Sequence, residues 1–354
     1  FIIISYYLFL FLLRSREFYL DYVLALYLLW AGAIVISLWI KEPTLFLVSA
    51  LSLAFLENAA VFDFSISIPF FVIGLCLLII HFRDLKSVNL IFCVSTLILL
   101  SFYPISFAKD FIVFSFILLL STASGHTFCK YFKNRVLNFT YIKLVSSLIF
   151  TFWVLEYVLV FTLPHLRYNV VYSFDFRPIG FFTETTWFTS LIAFLFLSKL
   201  MPSRIHLLGM FVPILGLSRA YLLTVIFYLK FRSLLLVIPA LVSVLLLVDA
   251  DIFYRLRDFT DVSRHERLLD AEVSLMPNMS LSSKASGIFL LQLISVYGIA
   301  LTVIYLSILI YSVIRVRNWL PVLFGIISFV HPVHFSVVFL LSLTVPTVIK
   351  YRNR

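Results

Sequence analysis

Apolar residues run along the chain in long blocks broken by brief polar punctuation, without the strict alternation of half-buried strands. A helix rises ~1.5 Å per residue, so about 20 apolar residues cross a ~30 Å hydrocarbon core, and tilt or local thinning tolerates shorter runs. On that ruler the spans fall at 1–13, 22–40, 44–56, 66–82, 88–107, 111–125, 144–163, 186–200, 233–248 and 287–314. The stretches 205–229 and 319–349 lie between one crossing and two, carry polar residues at their middles, and read as hairpins of short or broken helices. The expected fold is all-α, a polytopic transmembrane helix bundle of about 12–14 membrane segments. It forms a single integral membrane domain over 1–354, with two larger extracytoplasmic loops at 164–185 and 249–286.

Composition supports that reading. Hydrophobic residues make up 63% of the 354 positions and charged ones 12%, with a mean hydropathy of +1.11, outside the range of soluble globular chains. With 40 phenylalanines and only nine glycines, the chain has too much apolar surface to be disordered or collagen-like. Cys76, Cys93 and Cys129 are widely spaced in or beside apolar segments, so neither a disulfide scaffold nor a zinc site is expected. No glycine pattern of the GxGxxG or GxxxxGK kind occurs, so no nucleotide site and no cofactor are expected, nor a nucleic-acid partner. The chain opens on Phe1 rather than methionine, and a preceding N-terminal piece is expected.

Charge sets the sidedness, because short cytoplasmic loops are enriched in Lys and Arg. The densest basic cluster is Lys130, Lys133, Arg135 and Lys143; placing it inside also brings Lys41, Arg83, Lys86, Lys199, Arg204, Arg315, Arg317 and Lys350 inside. Sixteen of the 27 basic residues then face the cytoplasm, with only Glu42 and Asp84 as acids beside them. Of the eleven on the outer side, nine are arginine, which topology alone does not select. Arginine presents a planar, permanently charged fork suited to carboxylate or phosphate. The outer arginines either bind such a group or pair with nearby acids such as Asp258, Asp261, Glu266 and Asp270.

Three places gather candidate chemistry. The loop 164–185 ends R-P-I-G-F-F-T-E and runs directly into a span, setting Arg177 and Glu184 at the outer boundary, with Pro178 and Gly180 in a turn. Gly216-Leu217-Ser218-Arg219-Ala220 interrupts an apolar stretch. A charge at bilayer depth costs at least ~2.5–3.5 kcal/mol, so Arg219 belongs in protein or a wet cavity at a helix break. In the second loop, Ser263-Arg264-His265-Glu266 reads as a capping box opening an amphipathic helix over about 263–275. Arg264 and Arg267 fall on one side of it, and Leu269, Val273 and Met276 on another.

Weaker signals surround these. Asp249-Ala250-Asp251 has a spacing that holds divalent cations elsewhere, but two acids at a helix end are common, and no metal is expected. His331 and His334 cap the outer end of the 319–349 hairpin, as a base or as packing. Glu156 stands mid-span and should face the bundle interior. Tyr168, Tyr172 and Trp187 near the outer face suit sugar stacking and interfacial anchoring alike.

The order R-P-I-G-F-F-T-E-T-T-W, then G-L-S-R-A, then D-V-S-R-H-E-R-L-L in a long outer loop, then a span with V-Y-G-I-A resembles the O-antigen polymerase and ligase superfamily. The likeness covers about 175–310. Arg177, Gly180 and Glu184 match the family's first motif, Ser218 and Arg219 its second, and Ser263 and Arg267 its third. Thr185 and Leu217 depart from the usual proline and glycine, and Ser283-Lys284-Ala285-Ser286 stands where ligases keep a histidine, which favours polymerase over ligase.

The resemblance implies a glycosyltransferase of the bacterial inner membrane acting at the periplasmic face. It would polymerise oligosaccharide repeat units carried on polyprenyl pyrophosphate, as both donor and acceptor, into a surface polysaccharide, beside a chain-length regulator. On that reading Arg219 and Arg267 hold the pyrophosphate and Arg177 the pyrophosphate or glycan. Glu184 serves as base or orienter, while Arg264, Ser218, Tyr172, His331 and His334 line the substrate. A lipid-linked oligosaccharide flippase would also need a charged cavity, although the two related halves of such transporters are not seen here. An intramembrane serine protease using Ser218 with His331 or His334 is the other rival.

Overall fold

The computed structural model describes residues 5, 19–57, 68–101, 108–162, 185–210, 275, 294, 298–328 and 336–352. Among them the fold is all-helical. The α-helices are α1 (Tyr19–Ile40), α2 (Pro43–Phe55), α3 (Ile68–His81), α4 (Ser87–Ser101), α5 (Ala108–Leu120) and α6 (Gly125–Tyr131), followed by α7 (Phe139–Thr162), α8 (Thr185–Leu197), α9 (Gly298–Tyr311), α10 (Leu320–Ser328) and α11 (Val337–Arg352). Short 3-10 turns cover Phe82–Asp84 and Ser203–Met210, and a π turn over Ser312–Val316 continues α9.

Among the described residues, two stretches are long and apolar enough to cross a membrane, Phe139–Glu156 and Gly298–Val316, or up to three if the pair Phe111–Leu120 and Gly125–Tyr131, bent by 93°, is one broken span. Burial agrees with a lipid setting. On α4 the polar side chains Asn89 (1% exposed) and Thr96 point inward, while Leu90, Val94, Leu97, Ile98 and Ile91 (64% exposed) point outward. A soluble protein arranges its helices the other way round, so this inversion marks a membrane-associated chain. Glu156 on α7 is buried, as its mid-span position required.

The chain divides into two compact units. The first comprises 1–36, 44–63 and 136–259. Its described core joins α2, α7 and α8 through aromatic edges: Phe55 meets Phe152 at 5.0 Å and Phe188 at 5.7 Å, and Phe150 meets Phe196 at 5.2 Å. Every residue of α8 from Phe188 to Phe196 is buried, so this helix is covered on all sides. Tyr27 of α1 donates its hydroxyl to the carbonyl of Leu56, just past α2.

The second unit comprises 37–43, 64–135 and 260–354. Its centre is α11, which packs against α3, α5, α6 and α10. Three hydroxyls of α11 fold back on their own helix, Ser342 to Phe339 O, Thr344 to Leu341 O and Thr347 to Thr344 O, so they enter the core already satisfied. Pro346 lies inside this helix. Gly125 opens α6 where it touches α11: a Cβ there would strike the Thr347 carbonyl and lie 2.8 Å from Tyr351 Cβ.

Three helix ends share one construction. The 6→1 bonds Glu42 N to Ser37 O (2.9 Å), Asn134 N to Cys129 O (2.8 Å) and Leu200 N to Leu195 O (3.0 Å) close α1, α6 and α8. In each the left-handed residue is a lysine, Lys41, Lys133 and Lys199, with φ of 59°, 53° and 57°. Glycine is the usual occupant because a Cβ costs about 1–2 kcal/mol there. A cation at a helix C-terminus recovers part of that through the macrodipole.

Candidate functional site

The nine side chains expected to carry chemistry, Tyr172, Arg177, Glu184, Ser218, Arg219, Arg264, Arg267, His331 and His334, lie outside the described residues, as does the amphipathic helix expected over 263–275 apart from Leu275. The structure does describe elements next in sequence to three of them. Helix α8 begins at Thr185, the residue after Glu184, and α10 and α11 flank the segment that holds His331 and His334. The short helix expected from 205 opens as the 3-10 turn Ser203–Met210.

Within the second unit, a cavity of about 470 Å³ opens where the C-terminal ends of α9 and α11 meet the turn before α6. Its charged lining is Lys86, Arg315, Arg317 and Lys350, against the single carboxylate of Asp84. The π turn that follows α9 throws Arg315 and Arg317 into this position. It closes with Arg317 in the left-handed region at φ 54°, and Arg315 lies 6.0 Å from the Tyr311 ring. Such π turns widen a helix locally and recur at functional sites.

Asp84 is fully engaged. Its Oδ1 accepts from Thr127 Oγ1 at 2.6 Å, and its Oδ2 accepts from Ser124 Oγ at 3.0 Å and Ser124 N at 3.2 Å, with His81 Nδ1 at 3.5 Å. Its backbone carbonyl accepts from Thr122 Oγ1. Ser124 in turn caps α6 by accepting from Thr127 N. This knot fastens the turn after α3 to the sharp corner between α5 and α6. Burial pushes the Asp84 carboxyl up, but the contacts from His81, Thr127 and Ser124 outweigh it and hold the group below its ordinary value of 3.8.

Glu42 is engaged as well. It lies 3.6 Å from Arg135, whose carbonyl accepts from Arg352, and Lys41 sits 3.5 Å from the centroid of the Tyr131 ring. With Asp84 and Glu42 both occupied, the cations of the cavity have no acidic partner within 4.0 Å among the described residues. The sequence counted these cations as topological signals only, because the cavity joins segments distant in the chain.

Among the described residues no three His, Cys, Asp or Glu side chains converge to hold a metal ion. The chain matches no known protein family, curated protein or solved structure.

Proposed function

We propose that this chain is a polytopic membrane glycosyltransferase, built on about 12–14 membrane segments, that joins oligosaccharide repeat units carried on polyprenyl pyrophosphate at the periplasmic face of a bacterial inner membrane. The observation that carries the reading is the chain order of three arginine motifs, around Arg177, Arg219 and Arg267, in a strongly apolar chain. The first of them leads directly into α8, a helix enclosed by protein on every side. A transition-state-binding site requires rigidly held groups, and a buried helix next in sequence to the motif suits that requirement.

In the reaction, an acceptor sugar hydroxyl attacks the anomeric carbon of the donor. The bond from that carbon to the pyrophosphate oxygen breaks, and the lipid pyrophosphate departs with the electron pair. Arg219 and Arg267 neutralise the charge that develops on it, with Arg177 on the pyrophosphate or the glycan, and Glu184 takes the hydroxyl proton. Fixed guanidinium groups perform this role without a metal.

The test is reconstitution of the purified chain with lipid-linked repeat units, reading glycan length. Arg219→Ala and Arg267→Ala should each slow elongation about ten- to hundredfold, since a charge-assisted hydrogen bond contributes ~1.5–3 kcal/mol. Ser218→Ala should retain most activity. The reverse ranking, with Ser218→Ala dead and Arg219→Ala active, points to serine hydrolase chemistry and overturns the proposal.

A further inference from the structure

We propose that the cavity of the second unit holds the phosphate headgroup of an anionic phospholipid, separately from any glycosyl-transfer site. Four cations line it, Lys86, Arg315, Arg317 and Lys350, and its one carboxylate, Asp84, is already bound by Ser124 and Thr127. Among the described residues the cavity therefore carries an unanswered positive charge. Its volume of about 470 Å³ lies within the ~300–1,000 Å³ of pockets that take small ligands.

The surface beside it selects a lipid over a soluble anion. Val303 (54% exposed), Ile310 (58%) and Ile314 (68%) present outward apolar side chains along α9 and the π turn, at spacings of seven and four that keep them on one face. This stripe ends at Arg315, and exposed Trp319 follows Arg317, an aromatic placed as at membrane interfaces. An acyl chain lying along the stripe brings its phosphodiester to the guanidinium groups. Free phosphate would leave the stripe unused, and an acidic protein segment would set its polar backbone against it. The basic residues of the lining are those that the positive-inside rule assigns to the cytoplasmic side, where anionic lipids concentrate.

Native mass spectrometry of the full chain in mild detergent, titrated with phosphatidylglycerol, phosphatidylcholine and inorganic phosphate, tests this. The wild-type chain should retain phosphatidylglycerol in preference to phosphatidylcholine, and equimolar inorganic phosphate should not displace it. The double variant Arg315→Gln/Arg317→Gln should bind phosphatidylglycerol about thirtyfold more weakly, and Lys86→Gln/Lys350→Gln should weaken it similarly. Lys143→Gln, in the other unit, should leave it unchanged, and circular dichroism checks that each variant is folded. Equal retention of both lipids by the wild-type chain overturns the proposal even if a variant misfolds. So does displacement by inorganic phosphate or a polyglutamate peptide, which would assign the cavity to a soluble anion or an acidic partner segment.

Discussion

Asn318 repairs the gap that Pro346 makes. A proline inside a helix has no N–H for the carbonyl four residues earlier, here Ser342, and Asn318 Nδ2 donates to that oxygen at 2.7 Å. The same side chain accepts from Leu320 N at 3.2 Å, opening α10. One buried amide thus completes one helix and starts the next. In a lipid setting an unmet carbonyl is costly, so the repair is required.

Replacing Asn318 with Ala should destabilise the detergent-solubilised chain by about 1–3 kcal/mol, read as a lowered Tm. Pro346→Ala restores a backbone N–H at that position, so in the Asn318→Ala background it should recover part of the loss. Simple additivity of the two substitutions in a double-mutant cycle would show that the amide does not serve the Ser342 carbonyl.

Gly125→Ala should be disruptive, because the added methyl meets the backbone of Thr347, which cannot swing aside. The expected cost is about 1–3 kcal/mol, with α6 displaced from α11. Gly32, inside α1, has nothing within 4 Å of a built Cβ, so Gly32→Ala should be neutral or gain up to about 1 kcal/mol from helix propensity. Thermal unfolding of the two variants side by side decides the matter; equal effects would contradict the close approach.

Asp84 gives the fold an acid limit. Its folded pKa lies below the unfolded value, so its stabilisation is complete above about pH 4 and is lost as pH falls through the folded pKa. Asp84→Asn should therefore cost about 2 kcal/mol at pH 7, and the gap between variant and wild type should shrink only below about pH 4. A gap that is unchanged down to pH 2 would show that the carboxylate charge is not what the knot requires.

Much of the helical frame was legible in the sequence. The spans expected at 22–40, 44–56, 66–82 and 186–200 correspond to α1, α2, α3 and α8 within a few residues, because a block of apolar side chains leaves the backbone little choice but to satisfy itself as a helix. The hairpin expected over 319–349 is represented by α10 and α11. Helix α6 is not legible in the sequence: G-H-T-F-C-K-Y has too few apolar residues to register, although Ser124 before it is a favoured N-cap residue. The cavity was illegible for a different reason. Lys86, Arg315 and Lys350 become neighbours only through packing around α11, whereas the proposed glycosyl-transfer residues could be named from motif order alone.

The lysine caps have a consequence for how this protein is made. On the topology proposed from the positive-inside rule, the residue that turns the chain out of its helix, Lys41, Lys133 or Lys199, is also one that would hold that end on the cytoplasmic side. On that topology, where the chain leaves the helix and which side that end faces would be encoded at one position. A glycine there would relax the turn while erasing the directional mark, so evolutionary gains in local comfort would come at the risk of an inverted protein.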